Sequence, residues 1–169
     1  MWITILSALS AIILFGFIFA GVVRWGLLPS YSDYSSKWGE VLPIKNLNLW
    51  GLVTFVAAAL LMPVMIELGN ENVFQFLGFF TPVYLMCVSF TPNWKTDKTE
   101  GKLHPIFAYA CAVAAFAWIL FVVHTWHVLL GISLFVIATA LLSLSLKSAK
   151  VFWLEMIMFA STYFSLLFV

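Results

Sequence analysis

Four side chains in this sequence have the chemistry to act together: Ser32, Asp33, His104 and Glu155. They supply a hydroxyl, a titratable imidazole and two carboxylates. Such a set can activate a nucleophile with the imidazole as base, or ligate a metal ion, zinc foremost. Ser32 and Asp33 belong to the stretch PSYSDYSSKWGE, residues 29–40. It gathers four serines, two tyrosines, an aspartate, a lysine and a glutamate in a chain where only 9% of residues are charged. The same residues also have plainer uses. Ser-Asp-Tyr-Ser can cap or turn the chain, and Glu155 can pair with Lys147, Lys150 or Arg24. A second group, His124 and His127 with Glu67 and Glu71, could hold zinc, although no motif spacing fixes its carboxylates.

Long apolar runs must position these residues. Of the 169 residues 64% are hydrophobic, and mean hydropathy is +1.08. A soluble domain is about half apolar and about a quarter charged. Eight Lys+Arg and seven Asp+Glu cannot cover a water-facing surface at this length. The composition therefore predicts a polytopic membrane protein. Net charge is near zero and the basic residues are dispersed, which speaks against nucleic acid as a partner. Six apolar runs occupy residues 3–23, 49–68, 73–90, 103–123, 128–146 and 151–169. Each approaches the roughly 20 residues a helix needs to cross hydrocarbon. They are continuous rather than alternating, so helices are favoured over a β-barrel. The expected fold is all-α, a single domain of residues 1–169 with six transmembrane helices. The first run lacks the basic leader of a signal peptide and is too long for its core, so it reads as a retained helix.

Lys and Arg stay on the cytoplasmic side of short loops. All eight fall in the odd-numbered connections: Arg24, Lys37 and Lys45; Lys95, Lys98 and Lys102; Lys147 and Lys150. This predicts that those connections face the cytoplasm of a bacterial cell and that both termini lie outside the inner membrane. Ser32, Asp33, His104 and Glu155 then share one leaflet, with Trp25, Trp38 and Trp94 as an interfacial belt. KTDKTEGK reads as a solvated loop, after which His104 opens the fourth helix with Pro105 in the first turn. Ala108, Cys111, Ala112 and Ala115 lie on one face of that helix and Ala110, Ala114 and Ala117 on another. Small residues on two faces predict a central place in the bundle. Gly16 and Ala20 give the first helix a similar face. Pro63 and Pro82 sit inside the second and third runs, where each removes a backbone bond. Cys87 and Cys111 fall in apolar runs and read as small buried side chains.

No Walker loop, Rossmann glycine pattern, His-Glu-x-x-His or Gly-x-Ser-x-Gly is present. The stretches LPSYSDYSSKW and FTPNWKTDKTEGKLHPIFAYA resemble those of small six-span bacterial membrane proteins of uncharacterised function. Those proteins are remotely similar to the superfamily of alkaline ceramidases and adiponectin receptors. The resemblance covers most of the chain in layout and only those stretches in detail. It implies a membrane-embedded zinc hydrolase, with Ser32, Asp33 and His104 as the residues carried across. The chain departs from that superfamily in lacking a seventh span and a His-x-x-x-His.

The first function expected is binding. A polar cytoplasmic face, residues 29–40 and 91–104, would engage a protein partner or lipid headgroups. The second is lipid-directed hydrolysis at Ser32, Asp33 and His104. The third is a pore or channel subunit, which requires a homo-oligomer.

Overall fold

A continuous apolar run satisfies its backbone hydrogen bonds within itself only as a helix, and helix is what these runs form. The computed structural model describes residues 1–41, 48–124, 129–130, 132–134, 136–138, 141 and 149–167. Among them the chain is all-helical, with no strand. The elements are α1 (Trp2–Trp25), a 3-10 turn (Tyr31–Asp33), α2 (Tyr34–Val41), α3 (Leu49–Leu68), α4 (Phe76–Ser89) and α5 (Lys98–Trp118). A π-helical turn (Ile119–Val123) extends α5, and α6 spans Lys150–Leu167. The described residues between 129 and 141 are also helical. Lys45, His127, Lys147 and much of the run 128–146 lie outside the described residues.

Among the described residues three helices are long and apolar enough to cross a membrane: α1, α3 and α5 with its π extension, at mean hydropathies of 2.5, 2.3 and 2.5. Helix α4 is shorter than its apolar run, which starts at residue 73. Asn72 holds the preceding residues in a turn. Its Oδ1 accepts from the Phe74 amide at 2.8 Å and its carbonyl from the Gln75 amide at 2.9 Å. The helix that results has 14 residues. At 1.5 Å per residue it rises about 21 Å.

Two polar stretches expected as loops are partly helical. Helix α5 starts at Lys98, five residues before its apolar run. Asp97 caps it by accepting from the Thr99 and Glu100 amides at 2.8 Å each. His104 is therefore nearly two turns inside the helix rather than its opening residue, and Pro105 is an interior proline rather than a first-turn one. The stretch 24–48 contains the 3-10 turn and α2, too short and too polar for apolar periodicity to reveal them.

The fourth apolar run was expected at the centre of the bundle, but α3 is the more deeply enclosed. It has 44% of its apolar window buried, against 33% for the α5 span. Two glycines set its approach to α4. A Cβ on Gly51 would lie 2.6 Å from the Ser89 carbonyl oxygen, and one on Gly78 would lie 2.6 Å from that of Met65. Residue 51 thus meets 89 while 65 meets 78. Helices α3 and α4 run antiparallel, with backbones in contact at both ends of the seam. Across α3, the Ser10 hydroxyl of α1 donates to the Ala57 carbonyl at 2.7 Å. It accepts from Tyr163 of α6 at 2.6 Å. At the far end Asn72 donates to the Phe121 carbonyl at 3.1 Å, and Phe74 stacks on Phe121. Pro63 and Pro82 lie inside α3 and α4. Cys111, Ala114 and Ala115 of α5 are buried.

Candidate functional site: a buried serine–histidine pair

Gly26, at φ 74°, ends α1 in a conformation that favours glycine. The chain then turns back across the end of the bundle, and residues 29–35 are tied to almost everything around them. The Pro29 carbonyl accepts from the Phe152 amide at 2.8 Å. The Ser30 amide donates to Asp33 Oδ2 at 2.9 Å, so the aspartate does cap the 3-10 turn. The Tyr31 amide donates to Glu155 Oε2 at 2.6 Å. Thr54 uses its own hydrogen on the Trp50 carbonyl, so the Tyr31 hydroxyl donates to Thr54 Oγ1 at 2.8 Å. Tyr34 donates to the Gly26 carbonyl at 2.6 Å, and its ring fills the space a Cβ on Gly21 would need. Ser35 reaches the Pro92 carbonyl at 3.3 Å. Residues 30–35 are all buried. The hydroxyls of Tyr31, Tyr34 and Ser35 brace this stretch to α3, the end of α1 and the segment before α5, and its backbone ties it to α6. Ser36, Gly39 and Glu40 remain exposed.

Burial pushes the phenol of Tyr31 above its ordinary value, a rise the bond to Thr54 only partly offsets. Burial raises Tyr34 likewise.

Ser32 points at His104. Its Oγ lies 2.8 Å from His104 Nε2, while His104 Nδ1 lies 2.7 Å from Thr91 Oγ1. Counting hydrogens assigns the direction of both bonds. Thr91 Oγ1 has one hydrogen and donates it to the Val88 carbonyl at 2.8 Å. It must therefore accept from His104 Nδ1–H. That leaves Nε2 with the lone pair of a neutral imidazole, which accepts the Ser32 hydroxyl. A hydroxyl, an imidazole that accepts from it and a third group that orients the ring are thus in sequence, the order a nucleophile–base pair requires. Ser32 is 4% exposed and His104 5%. Trp94 stacks on the imidazole, with ring centroids 5.0 Å apart and planes 14° apart, and Trp50 is tilted against it at 6.2 Å. Trp94, expected in the interfacial belt, covers the imidazole and is only partly buried.

Asp33 and Glu155 come to the same end of the bundle but do not join this pair. Asp33 Oδ1 makes an ion pair with Lys95. Glu155 is engaged by the Tyr31 amide rather than by Lys150 or Arg24. An interior gap lined by Leu61, Thr81, Leu85, Cys111, Met158 and Tyr163 lies among α3, α4, α5 and α6, and none of these four residues lines it.

The donor set does not fit the zinc that the family resemblance implies. Both ring nitrogens of His104 are engaged by hydroxyls. Among the described residues no three His, Cys, Asp or Glu side chains come together. At the far end His124 is exposed and donates Nδ1–H to the Val122 carbonyl at 3.1 Å. Its proposed partner His127 lies outside the described residues.

Thr91 and Lys95 were not singled out by sequence. Nothing in the order of residues marks Thr91, and Lys95 read only as one of several solvated cations. No protein-family model, curated protein or solved structure matches the chain.

Proposed function

We propose that this is a multi-pass bacterial inner-membrane protein with six crossing helices and both termini outside. Its cytoplasmic end would carry a serine–histidine centre that hydrolyses a lipid ester or amide. The observation that carries this reading is the Ser32 hydroxyl donating to His104 Nε2 at 2.8 Å, with Nδ1–H fixed by Thr91. The orientation is supported by the one-sided placement of all eight basic residues. It is supported too by the meeting of residues 29–35, 91–104 and 152–155 at one end of the bundle.

The chemistry follows from the hydrogen placement. Ser32 Oγ attacks the acyl carbon and its proton passes to His104 Nε2. Thr91 keeps the ring oriented while the imidazolium exists. The imidazolium returns the proton to the departing alcohol or amine as the acyl bond to it breaks. A water molecule, deprotonated by Nε2, then releases the fatty acid and restores Ser32. Within the binding face expected at residues 29–40 and 91–104, Ser30, Ser32 and Ser35 are buried. Binding to lipid headgroups or to a cytoplasmic partner falls instead to the exposed rim: Ser36, Gly39 and Glu40 with Asn93 and residues 95–99.

The test is fatty-acid release from ester- and amide-linked lipids by the protein in nanodiscs, followed by mass spectrometry. Ser32→Ala should abolish release, and His104→Ala should slow it by about 10²–10⁴-fold, the usual contribution of a positioned base. Release that survives Ser32→Ala, or none from any lipid by folded protein, would overturn the proposal.

A further inference from the structure

We infer that residues 91–97 form a strap that closes the Ser32–His104 pair and opens to admit substrate. This deepens the serine–histidine reading and rests on it. The pair is almost wholly buried, yet a hydrolytic centre must meet a substrate. The strap is what covers it. Trp94 lies flat on the imidazole at 5.0 Å, and Lys95 reaches over to Asp33, the neighbour of Ser32. The two ends of the strap are fixed. Thr91 is bonded to Val88 and His104 at one end. Beside it the Pro92 carbonyl accepts from Ser35 at 3.3 Å and the Asn93 amide donates to Glu100 Oε2 at 2.7 Å; at the other end Asp97 caps α5. Between these anchors residues 94–96 are held over the pair by one ring stack and one ion pair, and the lysine half of that pair is 52% exposed against 7% for the aspartate. Contacts of this kind, one side chain deep and half in contact with solvent, are the ones that open locally before the rest of a fold.

Gly101 is part of the device. A Cβ there would stand 2.6 Å from the Trp94 carbonyl oxygen, so the strap lies against α5 only because residue 101 has no side chain. Gly101→Ala should lift the strap without removing any of its polar groups, and alanine strengthens rather than weakens the helix.

The experiment is carbethoxylation of the whole protein in nanodiscs by diethyl pyrocarbonate, read residue by residue by mass spectrometry. Exposed His124 is the internal reference. Maleimide labelling of Cys111, 2% exposed, reports unfolding. In the wild-type protein His104 should react at least tenfold more slowly than His124. Trp94→Ala and Gly101→Ala should each speed His104 at least tenfold and leave His124 and Cys111 unchanged, and Lys95→Arg should behave as wild type. If Trp94→Ala exposes Cys111, Gly101→Ala decides the matter. Wild-type His104 reacting as fast as His124 would overturn the proposal. So would protection of His104 that persists in a folded Gly101→Ala protein. Accessibility is measured here and not turnover. A strap that opens without any lipid hydrolysis therefore retires the hydrolase and keeps the strap, and the reverse result does the opposite.

Discussion

Replacing Thr91 by valine removes one oxygen at nearly constant volume and tests how the imidazole is held. That oxygen accepts His104 Nδ1–H at 2.7 Å and donates to the Val88 carbonyl at 2.8 Å. The Val88 carbonyl keeps the amide of residue 91, 3.1 Å away. The group left without a partner is therefore the imidazole N–H, at a site where residues 91 and 104 are 4% and 5% exposed. A buried donor without an acceptor costs about 1–3 kcal/mol. The ring has one way to recover part of this. It can move its proton to Nε2 and donate to Ser32 Oγ, and Ser32 then no longer faces a base. Two readouts follow. Reversible unfolding in detergent should show a loss of about 1–3 kcal/mol. Nitrogen-15 NMR of the ring should show the proton shifting from Nδ1 towards Nε2, with lipid hydrolysis falling about tenfold for each 1.4 kcal/mol lost from the transition state. Thr91→Ser should restore both. A valine variant with Nδ1 still protonated and stability within about 0.5 kcal/mol of wild type, the range of an inert substitution, would refute the reasoning.

Gly78→Ala should destabilise by about 1–3 kcal/mol, because its Cβ would meet the Met65 carbonyl oxygen at 2.6 Å and force α3 and α4 apart. Gly16→Ala, which meets nothing within 4 Å, should be neutral in the same unfolding assay. Tyr31 is held neutral above its ordinary pKa of 10.0. Its folded form binds the proton more tightly than the unfolded chain does, so the stability it contributes is complete below about pH 10 and drains away as pH rises further. Tyr31→Phe should flatten that alkaline loss in a denaturation series. For orientation, Ser36→Cys should react with an impermeant thiol reagent only from the cytoplasmic side, and Asn70→Cys only from outside. The reverse pattern would invert the proposed topology.

Helix α3 is legible in sequence to the residue because its run is apolar but for Thr54 and Glu67, between a capping Asn48 and a terminating Gly69. Helix α5 is legible only from residue 103, because its first turn is made of charges that look the same in a loop. What fixes its start is the Asp97 carboxylate accepting two amides. The small residues of α5 pack as their spacing suggests, with Cys111, Ala114 and Ala115 buried and Cys111 Sγ 3.4 Å from the Thr81 carbonyl of α4, whereas the contact of α3 with α4 at Gly51 and Gly78 had no such signal. Residue type alone marked Ser32 and His104, and one-sided charge placed them at one end. It could not say which of four candidates would touch. The decisive bonds join residues 72 and 124 positions apart in the chain, and a rotation of the 3-10 turn would have swapped Ser32 for Asp33. Thr91 was invisible because its role depends on a hydrogen already committed to Val88.

The most direct measurement is adduct formation with a fluorophosphonate, which transfers its phosphonyl group to a serine oxygen when a neighbouring base takes the proton, with loss of fluoride. Intact-protein and peptide mass spectrometry of the Gly101→Ala protein should show one adduct, on Ser32, and the adduct should vanish when His104→Ala is added. No adduct on Ser32 in folded protein, or one that forms equally well without the imidazole, would contradict the account.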